Sequence, residues 1–159
     1  MKELNINTKI KVCQYDELTQ EQKLLVDQAK EATFRSYAPY SNFFVGAAAL
    51  LENGEVVTGS NQENAAYPSG LCAERVTLFY ANSKYPDQPV TALAIAARTN
   101  GDFINECAAP CGACRQVILE TEYRGKQPLQ LILFGKGQIY IIDSIKELLP
   151  LYFDKDSLG

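Results

Sequence analysis

Cys72-Ala73-Glu74-Arg75 and Pro110-Cys111-Gly112-Ala113-Cys114-Arg115-Gln116 are the two stretches around which the rest of the chain has to be arranged. Together they offer three soft thiolates and a carboxylate, and each is followed by a helix-like segment. Three thiolates leave one corner of a zinc tetrahedron free, the vacancy that a catalytic site keeps for water. Glu74 is then the acid/base that handles the proton of that water. Residues i and i+2 of a regular helix point to different faces. Cys72 and Glu74 can therefore serve one metal only if Cys72 sits at the very start of its helix. Cys111 and Cys114 are three apart and share a face, and their place at a helix N-terminus lowers thiol pKa through the dipole.

The cysteines outside these stretches are Cys13 and Cys107, which makes an odd total of five. With Met1 to Val12 lacking the apolar core of a signal peptide, that number favours metal or thiol chemistry over a disulfide framework. The chain has no histidine, so zinc here has to rest on Cys, Asp or Glu, and Ser-His and Cys-His nucleophilic systems are excluded. The net charge of -4, from 19 acids against 15 bases, repels a nucleic-acid backbone rather than steering it in. A small molecule is the expected substrate. The longest apolar run, Phe43 to Leu51, is too short to span a bilayer, and a cytoplasmic location is expected.

A length of 159 residues suits a single domain, 1–159. Leu18 to Tyr37 reads as the first helix, with Thr19 and Gln22 as a capping box and Leu25, Ala29 and Ala32 at helical spacing. Phe43 to Leu51 reads as a central strand, Asn53-Gly54 as a tight turn, and Val56 to Asn61 as the returning strand. A polar loop from Asn61 to Gly70 follows, of the kind that carries binding groups. The second helix runs from about Cys72 to Ser83, and a third strand from Val90 to Arg98. Thr99 to Pro110 is a long connection, and the third helix runs from Cys111 to about Glu122. Leu129 to Phe134 and Ile139 to Asp143 are separated by four residues, too few for a parallel crossover, so they form an antiparallel hairpin. Ser144 caps a short final helix that Pro150 ends. The fold class is α/β, a three-layer α-β-α sandwich with one mixed sheet of about five strands ending in that hairpin.

A Cys-x-Glu followed later by Pro-Cys-x-x-Cys is the known signature of zinc-dependent deaminases. The chain resembles one branch of them, the small three-cysteine cytidine deaminases. The resemblance is carried by Tyr40-Ser41-Asn42-Phe43-Phe44-Val45-Gly46-Ala47-Ala48, Asn61-Gln62-Glu63-Asn64-Ala65, and the two cysteine stretches. It runs in order from about Leu18 to Phe153. It implies zinc, one per subunit, on Cys72, Cys111 and Cys114, with Glu74 as proton shuttle. It implies that Asn61 and Glu63 bind the ribose hydroxyls, that Phe43 packs against the base, and that the backbone of Ala73 reads the pyrimidine edge. It implies a homotetramer whose sites borrow side chains from neighbours, at the positions of Tyr67 and Phe153. Three thiolates on zinc leave a net charge of -1, which weakens the metal's hold on hydroxide, and Arg75 resembles the family arginine that draws this charge away. The implied activity is hydrolytic deamination of cytidine and 2'-deoxycytidine to uridine and 2'-deoxyuridine plus ammonia, a pyrimidine-salvage step.

Two features depart from the pattern. The Thr99–Pro110 connection is longer than expected, and Cys107 is an extra thiol within it. Three other readings stay open at this level. Cys107 with Cys72, Cys111 and Cys114 would make a closed structural zinc site, a fold used for binding rather than catalysis. A deaminase of nucleic acid is disfavoured by the acidic balance and the lack of a basic-aromatic stripe. A nucleotide or another cytosine compound as substrate would share the metal motif.

Overall fold

The computed structural model describes residues 1–159. Strand β1 (Lys11–Cys13) precedes helix α1 (Gln20–Ala32), which a 3-10 turn (Thr33–Arg35) extends. Strands β2 (Phe44–Leu51) and β3 (Val56–Ser60) lead to helix α2 (Ala73–Lys84). Strands β4 (Val90–Thr99) and β5 (Asp102–Phe103) lead to helix α3 (Gly112–Gly125), and β6 (Gln130–Phe134) and β7 (Ile139–Ile142) close the sheet. A 3-10 turn over Ile145–Leu148 follows, with Ser144 Oγ accepting from the Lys146 amide at its start.

The seven strands form one sheet in the order β1-β7-β6-β4-β2-β3, with β5 paired to β4. The five expected strands are all present. The two additional ones are short edge pieces. β1 pairs antiparallel with β7, and β5 folds back on β4 across Asn100 and Gly101, which have φ of 52° and 84°. Positive φ at both residues is the hairpin geometry that Asn-Gly favours. At Asn53-Gly54 only the glycine has positive φ (85°). That turn is closed by Gly54 N–H to Leu51 C=O at 2.9 Å and Leu51 N–H to Glu55 C=O at 2.9 Å.

The capping box forms as its sequence demands: Gln22 N–H donates to Thr19 Oγ1 at 3.2 Å and Thr19 N–H to Gln22 Oε1 at 3.0 Å. The first helix ends earlier than its periodicity suggests, at Ala32. The central strands are covered on both sides. One face packs Ala47, Ala49, Leu93, Ile95, Leu131 and Leu133 against Leu78, Ala81, Ile118 and Leu119 of α2 and α3. The other packs Ala48, Ala94, Ala96 and Ile132 against Leu25, Val26 and Ala29 of α1. This is the three-layer arrangement, and the period-2 alternation of strands assigns each residue its face.

Strands β3 and β4 are both antiparallel to β2, hence parallel to each other, and β4 is parallel to β6. Helices α2 and α3 are the two crossovers linking β3 to β4 and β4 to β6, and they touch on one face of the sheet. Such crossovers share a hand, so both helices begin at the same end of the sheet, past the carboxyl ends of β3 and β4. That is where the two cysteine stretches lie.

Close packing of α1 on β2 depends on Gly46. A Cβ there would lie 2.1 Å from Ala29 O and 2.6 Å from Thr33 N, backbone atoms with no rotamer to yield. Gly46→Ala is expected to destabilise the fold by about 1–3 kcal/mol, read as a lower urea midpoint at unchanged slope. An unchanged midpoint would show that α1 does not rest on this glycine.

Candidate metal centre and active site

Cys72 is the N-cap of α2, with φ -70° and ψ 155°. Cys111 is the N-cap of α3, with φ -66° and ψ 168°. Both stand in extended backbone immediately before a helix, the geometry that lets Cys72 and Glu74 face one point. Cys114 is one turn into α3 and fully buried. The sulfurs of Cys72, Cys111 and Cys114 lie within 4.8 Å of one another, with Cys72–Cys111 at 3.8 Å and Cys111–Cys114 at 3.4 Å. Three thiolates on a tetrahedral zinc, at Zn–S of about 2.3 Å, stand about 3.8 Å apart. The triangle thus fits a zinc ion with small adjustment, and soft sulfur donors are the right chemistry for it.

The charge around the triangle is arranged for a cation. The thiol of Cys72 is pulled down to about 5, first by its hydrogen bond with Cys114 and then by Arg75. Cys114 is shifted the other way, because it keeps the proton it shares with Cys72 and because it is buried. One Arg75 guanidinium nitrogen approaches Cys72 Sγ at 3.8 Å, while its Nε is buried without a hydrogen-bond partner. Glu74, in the first turn of α2, is 5% exposed, and burial raises its carboxyl pKa. A carboxyl so placed can hold or release a proton nearer neutrality than a solvated one.

Glu74, Cys72 and Cys111 line a cavity of about 290 Å³ whose walls also include Phe43, Asn61 and Glu63. Asn61 is a staple as well as a wall: its Oδ1 accepts from Val45 N–H at 2.8 Å and its Nδ2 donates to Phe43 C=O at 2.9 Å. Glu63 accepts from the amides of Tyr40 (2.9 Å) and Ser41 (3.3 Å) and from the Ser41 hydroxyl. Those donors, the hydroxyl first, lower its pKa, so it is ionised. Two residues of the long connection, Ala108 and Ala109, also line the cavity. Sequence reasoning did not single them out, although they directly precede Pro110-Cys111.

The remaining expected residues do not line this cavity. Ala73 is buried, and its carbonyl accepts the Thr77 hydroxyl at 2.8 Å. Tyr67 belongs to a neighbouring cavity of about 460 Å³ that also includes Tyr40, Glu63 and Arg75. It is 76% exposed and stands edge-on to Tyr40 at 6.2 Å. Phe153 is brought to α3, where its carbonyl accepts from Gln116 Nε2 at 2.8 Å, and it lines neither cavity. Cys107 is not in the sulfur triangle. Its Sγ donates to Gln138 C=O at 3.3 Å, and burial raises its pKa, so it stays a thiol.

A family profile described as "Cytidine and deoxycytidylate deaminase zinc-binding region" matches residues 19–126. The chain is 42% identical over 135 residues to a cytidine deaminase of Sporosarcina psychrophila, covering 85% of this chain and 93% of that one. It is 35% identical over 133 residues to a probable cytidine deaminase of Dictyostelium discoideum, covering 84% of each. Among solved structures it resembles cytidine deaminase from Burkholderia pseudomallei, with 40% identity and a TM-score of 0.71 over 86% of this chain and 100% of that one. The Mycobacterium tuberculosis enzyme matches with 35% identity and a TM-score of 0.66 over 84% and 97%. No helix of the chain is long and apolar enough to cross a membrane.

The separation of Cys107 from the triangle has a direct consequence. Cys107→Ser is expected to keep one zinc per chain by atomic absorption, while Cys114→Ser loses it. Loss of zinc in Cys107→Ser would restore the four-cysteine structural site.

Proposed function

The chain belongs to the cytidine and deoxycytidylate deaminase family, and from that membership we propose that it hydrolyses cytidine and 2'-deoxycytidine to the corresponding uridines and ammonia. The observation that carries the reading is a cluster of three sulfurs at zinc-ligand spacing, two of which share one cavity with a buried carboxyl. Cys72, Cys111 and Cys114 would hold the zinc, which when bound supplies Lewis-acid activation of water. Glu74 takes the proton of the attacking water and delivers it to N3 of the pyrimidine and then to the departing amine. Its burial supports this role, since a group that must both accept and return a proton works best with a pKa near the operating pH.

Phe43 packs on the base, and Asn61 and Glu63 receive the ribose hydroxyls. Both polar side chains are already held by backbone amides and carbonyls, so they lose little freedom when substrate arrives. The backbone of Ala73 reads the pyrimidine edge through the first turn of α2. A nucleoside is favoured over a nucleotide because no Lys or Arg lines this cavity and the ionised Glu63 would repel a phosphate. Arg75, beside Cys72, offsets the negative charge that three thiolates bring.

The assembly we propose is a homotetramer with shared sites. Supporting it, Phe34, Tyr37, Tyr40, Tyr67, Phe79 and Tyr80 are all exposed on the isolated chain, and Phe153 does not reach its own cavity. Tyr67, and Phe153 from a neighbour, would then close the sites. Sedimentation equilibrium is expected to give four times the chain mass; a monomer at micromolar concentration would remove the shared-site reading.

Incubation with cytidine should release ammonia with the fall in absorbance that accompanies uridine formation. Glu74→Gln is expected to retain zinc and lose about 10²–10⁴-fold in turnover, and Arg75→Ala to retain zinc with reduced turnover. Turnover in Glu74→Gln equal to that of the parent would refute the proton-shuttle role.

A further inference from the structure

The Thr99–Pro110 connection is the one motif that the reading above leaves without a task, and the structure shows it held at both ends. At the start, Lys136 N–H donates to Ile104 C=O at 3.0 Å and Gly137 N–H to Asn105 C=O at 2.9 Å. Cys107 Sγ donates to Gln138 C=O. All three contacts come from the turn that joins β6 to β7. At the far end, Arg115 Nε donates to Pro110 C=O at 2.9 Å and another of its guanidinium nitrogens to Leu148 C=O at 2.9 Å. Between the two anchors hang Ala108 and Ala109, which line the cavity beside Cys111 and Glu74.

The turn fits this segment because two of its four residues have no side chain. A Cβ on Gly135 would lie 2.7 Å from Asn105 O, 2.7 Å from Glu106 C and 2.9 Å from Cys107 N. On Gly137 it would lie 3.1 Å from the Asn105 amide atoms. The segment and the turn are thus stacked backbone on backbone, and a methyl group at residue 135 has to push the segment away. Such a push is passed along 105–107 to the two alanines, since Pro110 is fixed by Arg115. The turn is itself steadied from outside by Gln14 Nε2 on Gly137 C=O at 3.2 Å, and the solvent-exposed Lys136–Asp102 ion pair adds a tie to the early part of the same connection.

We propose that Ala108 and Ala109 form a specificity wall of the cavity at its base-binding end, and that Gly135 is the positioning residue that sets where this wall stands. The inference rests on the cytidine reading for which end of the cavity takes the base. Ala108 and Ala109 directly precede Pro110-Cys111 in the chain and line the cavity together with Cys111 and Glu74. Asn61 and Glu63, which take the sugar in that reading, come from the loop after β3. The wall therefore confines the pyrimidine and leaves the ribose alone. Small side chains are what the position demands: a methyl bounds the space, and a branched side chain occupies it.

The test is steady-state kinetics of the zinc-loaded full-length protein on cytidine and 2'-deoxycytidine. Ala108→Leu is expected to raise KM at least fivefold for both nucleosides by the same factor, with zinc content unchanged. Gly135→Ala is expected to raise both KM values in the same way, with kcat altered less. Lys136→Ala removes the ion pair but keeps the backbone bond, and is expected to leave KM within twofold. If Gly135→Ala fails to fold, Ala108→Leu, whose new side chain enters an open cavity, still decides the matter. Unchanged KM in Ala108→Leu at full zinc loading overturns the wall. A KM rise for one nucleoside alone places the segment at the sugar and overturns it too. Failure of the parent protein to turn over either nucleoside defeats the cytidine reading itself, and the wall with it; an active parent with unaffected variants defeats the wall alone.

Discussion

The meeting of two helix N-termini at one point is the constraint on which everything else depends. Three sulfurs from two distant stretches reach one another because α2 and α3 both start at the same end of the sheet and on the same face. That follows from two parallel crossovers of common hand. Had β3 paired parallel with β2 while β4 stayed antiparallel to it, β3 and β4 would run antiparallel and the two helices would begin at opposite ends. The hydrophobic sandwich is in this sense the scaffold that sets the sulfur spacing, and Gly46 and Gly59 are where it is tightest. At Gly59 a Cβ would meet Thr77 Oγ1 at 2.5 Å, so α2 lies directly on β3 and carries Cys72 with it.

The same geometry governs the electrostatics. Helix N-termini present unpaired N–H groups and a partial positive charge, and both N-caps here are cysteines. Negative charge on sulfur is therefore favoured before any metal arrives, and Arg75 adds to the effect at Cys72. Three thiolates cannot all ionise side by side without a cation, which is why Cys114 keeps its proton while Cys72 gives its proton up. Binding zinc removes that conflict and must release protons as it does so. The cluster is thus poised for metal, with the cost of assembling like charges offset by the backbone and one guanidinium.

Most of this was legible in the residues because the signals were local and strong. The demand that Cys72 stand before its helix came from the i, i+2 geometry of Cys72 and Glu74, and its extended backbone meets it. The box at Thr19 and Gln22, the final hairpin and the doubly covered strands were likewise set by spacing and polarity. What escaped was weaker in physical terms. Strand β1 has three residues and β5 two, too few for any alternation to register, and both depend on a long-range partner. Yet Asn100-Gly101 carries the same turn dipeptide as Asn53-Gly54, followed by a segment too short to show strand alternation. The first helix looked longer than it is because periodicity continues past Ala32 into a 3-10 turn. Phe153 is held by its backbone rather than its ring, and no pattern in a tail reports that.

Asn61 shows why a polar residue at a site can be misjudged in either direction. In sequence it reads as a solvated loop residue until the family resemblance makes it a ligand to ribose. In the fold its amide ties the last residue of β3's exit to the entry of β2, through Val45 and Phe43. Each amide nitrogen has two donors and each amide oxygen two lone pairs, so one donor and one acceptor remain for the cavity. The bonds to backbone fix the orientation of the amide within the cavity wall. Glu63 is treated alike, with Ser41 and the Tyr40 amide holding one edge of the carboxylate. Asn61 and Glu63 are thus held by hydrogen bonds as Cys72 and Cys111 are held by helix ends. In the proposed reaction this rigidity would matter, because the reacting carbon would have to be presented to Glu74 within a fraction of an ångström, and a loosely held ribose could not transmit that accuracy to the base.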